Sequence, residues 1–258
     1  MDTTQSPTDA PKPTIQQIGT DDVYDALKLG WRDFRAEPKF GLFFGGVYAV
    51  AGLFIFLQLF VLGQSLWIFP LAFAFPLIGP FAAIGLYEVS RRREQGLPQN
   101  WSEILEVVRN QRHGQLPSMA FVVLFVFMAW IWLAHLIFAL FMGRFGTAIY
   151  SDIGSVLTSV NGISMLIFGT VIGGAIALVL FSITAVSLPL LLEREVDFVT
   201  AMITSVSVVR ENTVPMLHWA WIVVAVLVVG MIPLFLGLVV ALPVLGHGTW
   251  HLYRKTIK

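Results

Sequence analysis

His247 and His251 are four residues apart, so on a helix their rings share one face and could hold a metal ion together, or ligate haem with help from His135. The spacing imitates the paired histidines of zinc proteases, yet Gly248 stands where a glutamate base belongs, and that chemistry lacks its proton acceptor. Beside Trp250 and Tyr253, near the end of an apolar stretch, the pair reads more simply as an anchor at the lipid interface. His135 lies well inside another apolar run, where an ionisable group is costly enough to raise a functional hypothesis by default; a neutral imidazole bonded to a neighbouring helix is the plainer reading. Glu88 precedes Arg91 and Arg92 by three and four residues, a spacing for ion pairs along one helix. The run Arg91, Arg92 and Arg93 could touch anionic lipid headgroups and, more simply, fixes topology.

Other chemistry is missing. The chain has no cysteine, which removes thiolate catalysis, disulfides and cysteine-ligated metal centres. There is no phosphate-binding glycine loop, nucleophile elbow or kinase signature. The polar segments are too short to house a separate catalytic domain. No catalytic residue is assigned and no cofactor is expected. A formal net charge of zero gives no reason to expect nucleic acid as a partner.

The elements that carry these residues are set by composition. Hydrophobic residues make up 57% of the chain and charged ones 12%, with a mean hydropathy of +0.79, too apolar for a water-soluble globule. Residues 1–20 are polar and read as a disordered tail; residues 21–258 form one integral membrane domain. Apolar runs predict membrane helices over about 41–62, 66–89, 118–142 and 163–192. The last run, Met216 to Gly246, would be roughly 46 Å long as one helix, so it divides near Gly230 to Pro233 into helices over about 215–230 and 232–253. Six helices with both ends in the cytoplasm place nearly every lysine and arginine inside, Arg144 being the exception.

Three amphipathic stretches precede the first, third and fifth of these helices. Their apolar stripes are Val23, Leu27, Trp31 and Phe34; Trp101, Ile104, Leu105 and Val108; and Phe198, Met202, Val206 and Val209. Asn100 and Glu103 resemble a capping box for the second. The expected fold is therefore all-α: a polytopic membrane bundle of six helices in three hairpins, each hairpin introduced by an interfacial helix. Gly41 with Gly45, and Gly169 with Gly173, have the spacing that lets helix backbones approach.

The run from Ala74 to Glu94, with Gly79, Pro80, Tyr87 and Glu88 in it, resembles a bacterial family of uncharacterised integral membrane proteins, domain of unknown function 2189. Gly30 to Phe34, with Trp31 and Asp33, and Leu245 to Arg254 extend the resemblance from about Asp21 onward. It implies a multi-pass protein of the bacterial inner membrane and brings no activity with it. The leading expectation is a non-catalytic protein that organises or assists other membrane components, in contact with the bilayer, its anionic headgroups and other membrane proteins. A small-solute transporter or channel, from the repeated hairpins and proline-broken helices, and a haem- or metal-binding protein, from the five histidines His113, His135, His218, His247 and His251, are the alternatives.

Overall fold

The amphipathic stretch after the N-terminal tail folds as α1, Thr20–Ala36, in a computed structural model that describes residues 14–62, 68–143 and 153–258. Acidic Asp21 and Asp22 open the helix and Arg35 closes it, which suits the helix dipole. The Gly19 N–H donates to Asp22 at 2.9 Å. Pro38 occupies the first turn of α2, Pro38–Phe56, where its missing N–H costs nothing. A π-helical turn, Leu57–Val61, follows. α3 is Ile68–Glu94, α4 is Trp101–Asn110 and α5 is Leu116–Met142. α6 (Ile153–Thr158), α7 (Val160–Thr184), α8 (Ser187–Glu193), α9 (Phe198–Glu211), α10 (Thr213–Met231) and α11 (Leu238–Thr256) complete the chain.

The described residues are helical apart from connections and one isolated antiparallel bridge, Ile15 to Ile257. Four segments among them are long and apolar enough to cross a membrane: Pro38–Phe56, Leu116–Met142, Val160–Glu193 and Thr213–Met231. Arg144 lies outside the described residues.

α11 is the central post, packed against α1, α2, α3, α8 and α10. Its crossing with α1 is close: a Cβ built on Gly30 would lie 2.5 Å from the backbone N of Gly248 and 2.6 Å from the Val244 carbonyl. Gly41 and Gly45 pack against Pro243 in the same way, so this small-residue pair serves packing inside the bundle. Gly173 meets Trp130 of α5, whereas Gly169 meets nothing within 4 Å. α5 and α7 pack together at the edge of the bundle, with Trp132 74% and Leu140 73% exposed.

Three expectations are corrected. α11 begins at Leu238, not near 232, because residues 232–237 form a turn in which Leu234 and Phe235 have φ of 52° and 67° and the Phe235 ring covers Gly52. The helix near 163–192 is broken at Ala185 and Val186, ahead of Pro189, and the Val186 N–H is satisfied by Ser205 Oγ at 3.1 Å. The Asn100 side chain donates to Glu103 Oε1 at 2.7 Å instead of capping the backbone of α4. In addition, α1 and α9 bury their small residues, Val23, Ala26 and Gly30 in one and Ala201 and Ser205 in the other, while Trp31 stays exposed. Small side chains let these helices approach α11 and α8 closely, and Val23, Phe34 and Val209 of the expected stripes are buried with them.

Candidate functional site

Asp33 comes from the buried face of α1, three residues after the Gly30 contact with α11. That approach carries its carboxylate to the ends of α3 and α11, where three donors converge. Ser90 Oγ donates to Asp33 Oδ2 at 2.8 Å, His251 Nε2 donates to the same oxygen at 2.7 Å, and Arg93 Nε donates to Oδ1 at 3.0 Å. Ser90 Oγ also lies 2.8 Å from His247 Nδ1.

The hydrogens follow from this wiring. An ionised carboxylate only accepts, so the Ser90 proton points to Asp33 and His247 Nδ1–H donates to Ser90 Oγ. His247 Nε2 then carries a bare lone pair. It is buried without a hydrogen-bond partner among the described residues. The order is Asp, Ser, His, with serine in the middle; a hydrolase triad needs histidine between the other two to take the serine proton. Ser90 is moreover fully buried. Burial pushes the Asp33 carboxyl up, and the bonds from His251, Ser90 and Arg93 more than reverse this, holding it down to about 2. A cavity of about 230 Å³ lined by Leu29, Arg32, Asp33, Arg93, Glu94 and His251 adjoins the cluster.

A second network encloses Glu88, which is fully buried. Arg91 grips it through Nε at 2.7 Å and Nη2 at 3.0 Å, and Arg92 stands at 3.6 Å. Arg92 also donates to the Pro98 carbonyl at 2.9 Å and to Glu103. α3 ends here in a Schellman turn, with Gly96 at φ 67° and bonds from Leu97 N to Arg92 O and from Gly96 N to Arg93 O. The intrahelical pairing of Glu88 is as expected, but the three arginines point into protein carboxylates and not outward to headgroups.

The third network ties α11 to α3 and α8. Arg254 donates to Glu94 at 3.0 Å and to Glu193 at 2.7 Å, Trp250 Nε1 to Glu94 at 3.2 Å, and Tyr253 Oη to Glu193. Trp250 and Tyr253 are 0% and 1% exposed. Expected at the lipid interface, they are core residues of this chain, because α11 is enclosed by its neighbours instead of standing at the rim.

His247 and His251 meet through Ser90 and Asp33, and the other three histidines do not join them. His135 Nδ1 bonds the Ile131 carbonyl of its own helix at 2.8 Å, His218 meets Tyr24 Oη at 2.9 Å, and His113 accepts from Arg112. Among the described residues no three His, Asp or Glu side chains are placed to hold a metal ion. Of the motif residues, Trp31 is exposed, Gly79 is partly buried, and Asp33, Pro80, Tyr87 and Glu88 are buried. Ser90 was not foreseen. Its only sequence signal was its position in the polar edge of the motif run, between Glu88 and Arg91.

A helical bundle with several segments fit to span lipid, closed by ion pairs at one end, defines an integral membrane protein. Residues 68–193 match the family described as predicted integral membrane protein, domain of unknown function 2189. The match confirms the resemblance of the Ala74 to Glu94 run and is narrower than the expected extent from Asp21. No curated protein and no solved structure matches the chain.

Proposed function

We propose that the chain is a non-catalytic, multi-pass membrane protein that organises or assists the assembly of other membrane components. The observation that carries this reading is the wiring of its polar groups: the side chains fit for chemistry are bonded to one another in buried networks that join α1, α3, α8 and α11. Such networks position helices, and the buried Ser90 hydroxyl points its proton at a carboxylate and not at a histidine base. The apolar faces of α5 and α7 supply a surface for another membrane protein. The polar side chains of Ser182, Thr184 and Ser187 donate to carbonyls one turn back, at 2.7, 2.7 and 2.6 Å, which gives a solute path no support.

Six crossings in three hairpins, with both ends in the cytoplasm of a bacterial inner membrane, remain our reading of topology. α2 packs on α3, α5 on α7, and α10 on α11, as paired helices would. The deciding experiment is complementation of a deletion strain, scored by the pattern of detergent-extracted membrane complexes, with Ser90→Ala and His247→Gln. For a non-catalytic role, restoration tracks the amount of folded protein in the membrane. A variant that accumulates to the normal level, melts normally and yet restores nothing would refute the proposal.

A further inference from the structure

Lys28, Arg32 and Arg35 recur at four and three residues along α1 and share one exposed side of it. None of the three has a carboxylate partner within 4 Å among the described residues, unlike Arg91, Arg92, Arg93 and Arg254. They line an open groove of about 790 Å³ with Leu29, Trp31 and Ala36 and with Asp25 and Lys255. Its one acid is already engaged, since Asp25 faces Lys255 at 3.4 Å, and Lys255 also holds Asp22 at 2.7 Å. The groove therefore presents three unneutralised cations around an exposed indole.

Cations left unpaired in a concave site attract an anion with several acceptor oxygens; an arginine fork and a lysine ammonium suit phosphate. Position then selects the source. Arg35 lies three residues before Pro38, where the first apolar segment begins, and that segment exposes Leu42 and Phe43. An exposed tryptophan at this level has the placement of an interfacial ring. A ligand held here has its charged end on α1 and its apolar remainder beside the membrane.

We infer that the Lys28, Trp31, Arg32 and Arg35 groove is a binding site for the phosphate headgroup of an anionic glycerophospholipid. The inference rests on α1 lying at the membrane surface. That reading is tested separately by alkaline carbonate extraction, which must leave the chain in the pellet. The four side chains are exposed, so replacing the cations disturbs no packing.

Full-length protein is delipidated in detergent, and binding of phosphatidylglycerol, phosphatidylcholine and inorganic phosphate is followed by native mass spectrometry. The expected result is preference for phosphatidylglycerol over phosphatidylcholine by at least about tenfold, given roughly fivefold per basic residue near an anionic surface. Lys28→Gln/Arg32→Gln/Arg35→Gln abolishes the preference. Arg194→Gln/Arg210→Gln/Lys258→Gln, which removes the same charge elsewhere, leaves it intact. Equal losses in both triple variants, or undiminished preference in the first, overturn the site. Inorganic phosphate displacing phosphatidylglycerol at equal concentration overturns the lipid assignment. Unchanged melting of the lipid-free triple variant keeps a folding defect from imitating the result.

Discussion

Asp33 joins three helices through one side chain: it belongs to α1, and its donors Ser90, Arg93 and His251 belong to α3 and α11. Removing one member of a buried charged group leaves the others desolvated and unpaired, at a cost of about 3–5 kcal/mol. Asp33→Asn is therefore expected to lower the temperature at which half the detergent-solubilised protein stays monodisperse by more than Ser90→Ala does. The serine change removes a neutral hydroxyl worth about 1–3 kcal/mol. The reverse order would mean that the carboxylate is not the hub. Acid gives a second handle. The Asp33 carboxyl is held at about 2 against an ordinary 3.8, so the folded state favours its ionised form; that stability is complete above pH 4 and lost as pH falls toward 2. The depression corresponds to on the order of 2 kcal/mol. Asp22, Glu103 and Asp197 are depressed as well, so wild type and Asp33→Asn both weaken in acid. The gap between them should shrink from pH 4 to pH 2, and a constant gap would show that Asp33 is not the group titrating.

At the scale of the helix, the same residue type has opposite consequences according to what its missing side chain would meet. A methyl on Gly30 would press on the backbone of Gly248 and Val244 at 2.5 and 2.6 Å, and backbone cannot rotate away. Gly30→Ala should separate α1 from α11 and destabilise the protein by about 1–3 kcal/mol or more. Gly46 of α2 meets nothing within 4 Å, and Gly46→Ala should be neutral or stabilising by up to about 1 kcal/mol through helix propensity. Melting of the two purified variants beside wild type decides; equal effects would contradict the crossing. The contrast also shows why part of the fold was legible in the sequence and part was not. Apolar runs and three-to-four periodicity record what an element is, so α1, α4 and α9 and the apolar helices stood close to their predicted places. Periodicity does not record which flank of an amphipathic helix faces protein and which faces lipid, since both can be apolar. Hence Trp31, read with Val23, Leu27 and Phe34 as the packing face of α1, stays exposed, while Ala26, Gly30 and Asp33 share the buried side with Val23 and Phe34. Trp250 and Tyr253 misled for the same reason: an aromatic near a helix end anchors at an interface only if the helix is at the rim.

Across the whole molecule, the first and last of the described residues lie side by side. The Thr14 N–H donates to the Lys258 carbonyl at 3.2 Å, the Lys258 N–H returns to Thr14 at 3.1 Å, and the Gln16 N–H reaches Thr256 at 2.9 Å. Residues 14–19, read from composition as part of the polar tail, are thus tied to the end of the central post, and Ile18 N–H is held by Asn212 Oδ1 at 2.8 Å. The pairing of residues 14–16 with 256–258 agrees with the six crossings proposed above, which would leave these two segments on one side of the membrane. The register makes this testable. Thr14 and Lys258 exchange both backbone bonds, which makes Ile15 and Ile257 the non-bonded antiparallel pair, where Cα atoms stand about 4.5 Å apart and side chains are closest. That separation is within disulfide reach. The wild type has no cysteine to compete, so Ile15→Cys/Ile257→Cys should close a disulfide under mild oxidation in intact membranes, seen as a mobility shift reversed by reductant. Ile15→Cys/Val214→Cys, with the second thiol on the exposed flank of α10, should not close. If the first pair stays open while an impermeant maleimide reaches Thr14→Cys and Lys258→Cys from opposite faces of the membrane, the pairing of these segments and the proposed six crossings are both wrong.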